Sequence, residues 1–229
     1  EEAHVRMRAA GLRFSILGAD RFHRTYRLYR RNGYEDMNIW ATALARWETA
    51  HQPTRLRAEP AGPGGYEIAE QVFANVANDY LGFAWRHTPF ARLRDEIKSE
   101  DIYILWENNQ PVGYTLASVD QPILYVRDLL LRYGVNPVEA MAAVASQVKT
   151  AYIQVKVSRP VEIASLRQAG YQIAHPDGSA FMVKPIVPEA TIEEARRLFG
   201  IGTDRFLISR LDTSLQGDSG AIAQAQKRK

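Results

Sequence analysis

Leu12-Arg-Phe-Ser-Ile-Leu-Gly18 and Tyr152-Ile-Gln-Val-Lys-Val157 open the same theme at two places in the chain. Both place apolar side chains as a half-buried strand does. A helical stretch follows each, Arg21 to Asn32 and Arg159 to Ala169, and each stops at a glycine–tyrosine pair, Gly33-Tyr34 and Gly170-Tyr171. Glycine ends a helix well because, without a Cβ, it enters the left-handed region freely. The two glycines lie 137 positions apart (170 − 33), close to one domain length. Repetition at that distance points to two related domains in tandem and not to a short-period solenoid. The first theme starts near residue 12, so the chain is expected to hold the C-terminal part of a first domain and a complete second one.

Working outward, the expected boundaries are residues 1–46 for the first domain's C-terminal part, 47–65 for a linker, 66–186 for the second domain, 187–213 for an extension and 214–229 for a disordered tail. The linker is read from Pro53, Pro60 and Pro63 with Gly62, Gly64 and Gly65, residues that break periodic structure. Asp20 is expected to cap the first helix, whose Phe22, Tyr26 and Tyr29 would share a face. Met37 to Ala45 reads as a strand, or a strand pair with a bulge. In the second domain, Glu67 to Asn78 and Phe90 to Lys98 are expected helices. Asp101 to Trp106 and Val112 to Val119 form a hairpin joined by Glu107-Asn-Asn-Gln-Pro111, and Ile123 to Leu131 is a third strand. Asn136-Pro137 starts a helix, Asn as cap and Pro in the first turn. After the repeated strand and helix, Tyr171 to Ala174 and Ala180 to Lys184 are strands flanking the turn His175-Pro-Asp-Gly178. In the extension Ile192 to Phe199 is a helix stopped by Gly200, and Phe206 to Ser209 a further strand. The fold class is therefore α/β: a mixed, largely antiparallel sheet flanked by helices.

The composition, 46% hydrophobic and 24% charged, is that of an ordinary globular protein. No apolar run reaches a bilayer-spanning length and no signal peptide opens the sequence, so no membrane partner is expected and a cytoplasmic location is. The absence of cysteine excludes disulfides, thiol nucleophiles and thiolate metal sites. His4, His23, His51, His87 and His175 are scattered without metal-binding spacing, so no metal is expected. The net charge is +3, with arginines crowded at Arg21, Arg24, Arg27, Arg30 and Arg31. Three readings of that crowding stand: a solvated helix face, a site for a phosphorylated cofactor, and a nucleic-acid surface, the last without any supporting motif. Asp128 reads either as a base or, more simply, as the partner of Arg127.

The order of elements resembles that of the GNAT superfamily of acyl-CoA-dependent N-acetyltransferases, in a tandem arrangement similar to that of mycothiol synthase. The residues that carry the resemblance are Leu28-Tyr29-Arg30-Arg31-Asn32-Gly33-Tyr34, its second copy Leu166-Arg-Gln-Ala-Gly170-Tyr171, and the hairpin segment Gln110-Pro-Val-Gly-Tyr114. The resemblance implies acetyl transfer from acetyl-CoA to a small-molecule or peptide amine. It marks Tyr29 as a general acid for the departing thiolate, against the plainer reading that Tyr29 packs an aromatic face. It implies Arg30 and Arg31 for the cofactor and Trp85 and Arg86 for the acceptor. It also places a pyrophosphate on backbone N–H groups at a glycine-rich helix start. Leu131-Arg-Tyr-Gly-Val-Asn-Pro-Val-Glu-Ala140, at that place in the second domain, has one glycine, a proline without an N–H, and Glu139 in the first turn. The second domain is thus expected not to bind acyl-CoA in the usual way, and a non-catalytic ligand- or protein-binding module is the alternative function. The first-domain part is expected to dock on the second domain or on another copy of the chain, giving a homo-oligomer.

Overall fold

The structure is a computed structural model that describes residues 2–81, 97–174 and 178–207. The elements run α1 (Glu2–Ala9), β1 (Phe14–Asp20), α2 (Arg24–Arg31), β2 (Glu35–Ile39), β3 (Ala41–Arg46), α3 (Trp47–Ala50), β4 (Arg57–Pro60) and α4 (Gly65–Ala77). They continue as β5 (Ile102–Glu107), β6 (Gln110–Asp120), β7 (Ile123–Leu131), α5 (Pro137–Ala145), β8 (Tyr152–Val157), α6 (Pro160–Gln168), β9 (Gln172–Ala174), β10 (Ser179–Pro185) and α7 (Ile192–Phe199). The expected helix Phe90 to Lys98 and the tail lie largely or wholly outside the described residues.

Two sheets result. One has seven strands in the order β4-β5-β6-β7-β8-β3-β9, the other three in the order β1-β10-β2. Every pairing is antiparallel except β7 with β8, which is the mixed, largely antiparallel α/β architecture expected. The two copies of the theme have exchanged strands. β3, which follows the first glycine–tyrosine pair, lies between β8 and β9 of the second copy. β10, which follows the second pair, lies between β1 and β2 of the first. The crossing in the first copy is made by one residue, Trp40, between Ile39 and Ala41. Trp40 is buried against Phe181, Val183 and Phe206, and its N–H donates to the Ser179 carbonyl (3.2 Å). Met37 to Ala45 thus holds two strands with a register shift at Met37, as the second expected form has it, but they belong to two different sheets.

The seven-stranded sheet is covered on both faces. Ile102 and Ile104 meet α4 through Val72, Phe73 and Val76, while Tyr103 and Leu105 face the cluster of α5 and α6. That double cover explains the unbroken apolar run of β5. The Asn108-Asn109 hairpin turn has both residues at positive φ (50° and 61°), as a two-residue turn of the primed type requires. Asn136 caps α5 as read, its Oδ1 accepting from Val138 N–H (2.9 Å).

Three local expectations need correction. Residues 47–65 are not only a connector: they include α3 and the edge strand β4, whose Ala58 alone points inward while Arg57, Glu59 and Pro60 are exposed. One inward side chain in a charged, proline-ended strand leaves no period to read, though it suits an edge. α2 begins at Arg24, not Arg21. The Asp20 carboxylate accepts from Phe22 N–H (2.9 Å) and His23 takes the N-cap position, so Phe22 sits in the preceding turn and is 80% exposed. Finally, Arg127 does not seek Asp128. Its guanidinium reaches Asp101 (3.3 Å) and Ser118 (3.1 Å), and Asp128 is buried beneath the Tyr114 hydroxyl (3.3 Å).

Candidate functional site

Ligands of α/β sheets collect where parallel strands separate at their C-terminal ends. β7 and β8 are the parallel pair of this fold. Their ladder runs from Ile123 opposite Tyr152 to Val126 opposite Val155 and then stops, although β7 continues to Leu131 and β8 to Val157. The separation starts at a bulge: Leu116 of β6 faces Asp128 while Ala117 faces Val126, leaving Arg127 as the extra residue. An added residue bends its strand, so β7 leaves β8 at this point.

The opening is filled by the protein itself. Tyr80 donates its hydroxyl to the Leu131 carbonyl at the end of β7 (2.6 Å) and receives the Arg159 guanidinium at the start of α6 (3.2 Å). Arg159 also binds Glu162 (2.8 Å) and the Asp204 carbonyl (3.2 Å), and lies over the Tyr80 ring at 4.9 Å. The Arg159 and Glu162 side chains are 5% and 3% exposed. Burial alone lowers the Arg159 pKa, but the Glu162 carboxylate and the hydrogen bonds hold it above the ordinary value. Burial raises that of Tyr80. From the extension, Leu81 N–H donates to Arg205 (2.8 Å), Leu207 N–H donates to Leu81 (3.2 Å), and Leu207 closes the mouth. What is left between Trp40, Asp128, Lys156, Ser158 and Leu207 is about 10 Å³, the room of one water at most.

The neighbouring loop is equally engaged. Tyr133 N–H donates to the Asp79 carboxylate (3.3 Å), Val135 N–H to Arg132, and Val138 N–H to Asn136. Glu139 in the first turn of α5 pairs with Arg55 (3.1 Å). Among the described residues, a phosphate arriving here meets the Asp79 and Glu139 carboxylates, and the Tyr133, Val135 and Val138 donors are already used. These residues do not fit acyl-CoA. A larger, half-open hollow of about 360 Å³, lined by Arg46, Thr49, Tyr152, Gly170 and Gln172, lies at the N-terminal end of β8, away from the separation.

In the first copy the arrangement differs. Tyr29 is half-buried on α2 with its ring edge-on to Tyr34 at 5.8 Å, in a cluster with Leu17, Ala180 and Met182. Its place in that cluster suits the packing reading, and among the described residues no hydrogen bond holds its hydroxyl. Arg30 donates to the Tyr34 carbonyl (3.3 Å), while Arg31 is exposed. Tyr34 lies beneath, its hydroxyl 2.6 Å from Ser15 Oγ and 3.0 Å from His4 Nε2. Trp85 and Arg86 lie outside the described residues. Tyr29, Arg30 and Arg31 are therefore together on α2, and the chain Ser15–Tyr34–His4 and the group Tyr80–Arg159–Glu162 were not singled out from sequence. For the latter the available signal was Arg159-Pro-Val-Glu162, a charged pair at capping-box spacing directly after a strand. Among the described residues no cluster of three metal-ligating side chains occurs, and no helix is long and apolar enough to cross a membrane.

No family model matches this sequence, and no curated protein matches it. Solved structures do match its fold. A GCN5-related N-acetyltransferase from Anabaena variabilis superposes with a TM-score of 0.60 at 19% identity, over 81% of this chain and 49% of that one. A probable N-acyltransferase from Enterococcus faecalis gives 0.60 at 12%, over 87% and 50%. A GCN5-related N-acetyltransferase from Kribbella flavida gives 0.55 at 13%, over 88% and 49%. The chain spans about half the length of these structures and shares the GNAT fold with them.

Proposed function

We propose that this chain is part of an N-acetyltransferase that moves an acetyl group from acetyl-CoA to the amine of a small molecule or peptide, with the chemistry on the first copy of the repeated theme. The observation that carries the reading is the fold likeness to two GCN5-related N-acetyltransferase structures and a probable N-acyltransferase, combined with the self-filled opening of the second copy. The thioester supplies the activated acyl group. Transfer forms the N–C bond, breaks the C–S bond, removes a proton from the amine and leaves a thiolate that needs one.

Tyr29 is the residue for that last proton. A phenol with a pKa near 10 donates effectively only when held close to its acceptor. Its ring is fixed against Tyr34 and its hydroxyl has no protein partner among the described residues. Arg30 brings positive charge beside it for phosphate groups, and Trp85 and Arg86 belong to the acceptor side. Residues 1–46 contain no glycine-rich helix start for a pyrophosphate, so the first copy supplies only part of the donor's contacts. The second copy acts as its structural partner.

The test is thiol release from acetyl-CoA over a panel of amines, with calorimetric titration of acetyl-CoA alongside. With Tyr29 as acid, Tyr29→Phe lowers kcat by about 100-fold or more and leaves KM for acetyl-CoA little changed. Unaltered turnover removes Tyr29 from the mechanism. Neither turnover nor acetyl-CoA binding would instead favour the non-catalytic binding module.

A further inference from the structure

The outward ridge of α2 carries Arg24, Arg27, Leu28 and Arg31, all exposed. Residues three and four apart are neighbours on a helix, so Leu28 is flanked by Arg24 and Arg31. Leu28 is 55% exposed and Phe22, in the turn before the helix, 80%. None of the ion pairs among the described residues uses these three guanidiniums. The fold does not ask for them. On the equivalent helix α6 the same ridge, 137 positions later, reads Val161, Ala164, Ser165 and Gln168. Residues 1–46 hold nine arginines, no lysine and five carboxylates, a net +4 against +3 for the whole chain, which leaves −1 for the rest (3 − 4).

We propose that this ridge is a docking surface for an anionic phospholipid membrane. Arginine in place of lysine suits phosphate, which the planar guanidinium grips with two hydrogen bonds. Leu28 and Phe22 decide between phosphate-bearing partners. A nucleic-acid backbone takes the arginines but offers Leu28 nothing to bury, whereas a bilayer interface takes both phosphate-binding and apolar groups. A convex ridge also meets a flat surface without needing a groove. With three arginines and two apolar side chains the attachment is reversible.

The experiment is co-sedimentation of the full chain with vesicles of phosphatidylcholine, with and without one-third phosphatidylserine, across a salt series. Binding is expected to require phosphatidylserine and to weaken with salt. At about five-fold per arginine, Arg24→Gln with Arg27→Gln lowers the partition coefficient about 25-fold. Both residues are exposed, and an unchanged circular dichroism spectrum verifies the fold. Phe22→Ser with Leu28→Ser also lowers vesicle binding, while weak attachment of the chain to polyuridylic acid stays as it was. The proposal is overturned by equal binding to neutral vesicles, by no binding to either, or by tighter binding to polyuridylic acid than to the vesicles. It is overturned too if the Phe22 and Leu28 substitutions leave vesicle binding intact.

Discussion

The tyrosine that follows each helix-ending glycine occupies the same place in both copies, yet its surroundings are polar in one and apolar in the other. Tyr34 has its hydroxyl between Ser15 of β1 and His4 of α1. Tyr171 is buried in a cluster that includes Ile153 of β8 and Met141 of α5, and its hydroxyl has no partner among the described residues. Met141 stands 137 positions after His4. The two helices differ accordingly. α5 has seven buried residues of nine and α1 has none, so α5 is held by apolar burial, whereas α1 relies on contacts such as His4 with Tyr34 and Arg8 with the Ile186 carbonyl (3.2 Å). One backbone theme thus tolerates two ways of attaching a helix, because the fold fixes where the tyrosine lies but not what meets its hydroxyl. Burial without a partner pushes the Tyr171 phenol well above the ordinary tyrosine range.

The strongest break comes where the second copy is sealed. Arg159→Ala strands Glu162 in a buried site, and losing one partner of a buried pair costs about 3–5 kcal/mol. Urea denaturation is expected to show that loss, and a change under about 1 kcal/mol would mean the group is not the keystone described here. Replacing both partners, Arg159→Met with Glu162→Leu, is expected to cost much less.

Next comes Tyr34→Phe, which leaves the ring in place and removes a hydroxyl shared by Ser15 and His4. The expected cost is about 1–3 kcal/mol, accompanied by faster amide exchange in α1. The matching substitution, Tyr171→Phe, removes a buried group without a partner and is expected to be neutral or stabilising by about 1 kcal/mol. Equal costs for the two would erase the contrast.

Tyr171 also has a signature in alkali. A phenol whose folded pKa lies above its unfolded value adds stability that is fully present below the unfolded pKa, about 10, and is lost as pH rises toward the folded one. Wild type is therefore expected to lose stability above about pH 10, and Tyr171→Phe to lose less. Parallel melting curves across that range test it. The smallest difference is at the glycines. Gly33 and Gly170 have φ of 83° and 91°, so either change to alanine costs about 1–2 kcal/mol. A Cβ at Gly170 would meet Thr49 at 3.3 Å against 3.7 Å to Lys184 at Gly33, which makes Gly170→Ala slightly worse.

How much of this could be read beforehand follows from the range of the forces involved. Gly200 stops α7 in the left-handed conformation (φ 66°), as its sequence suggested, because that choice is made within one turn of backbone. Asn136, the Asn108-Asn109 turn and the two glycine–tyrosine pairs are legible for the same reason. The roles proposed for Tyr29, Arg30 and Arg31 rest on a family resemblance and not on any local pattern of this kind. The group that closes the second opening was not, since Tyr80, Arg159 and Asp204 are far apart in sequence and meet only after β7 and β8 separate.

The sequence by itself determined the repeat, its helix stops, its turns and the α/β class, all of them local matters of backbone conformation and side-chain period. Only the tertiary structure decided which strand pairs with which. Ala41, Ala43 and Ala45 alternate as any half-buried strand would, and nothing in that alternation says whether their neighbours are β1 and β2 or β8 and β9. The choice fell to side-chain volume across the sheet. The small alanines of β3 fit beneath α5 and α6. The run Ala180 to Val183 of β10 is apolar on both faces and fits a strand whose Met182 meets Tyr34 while Phe181 and Val183 pack with Trp40 and Phe206.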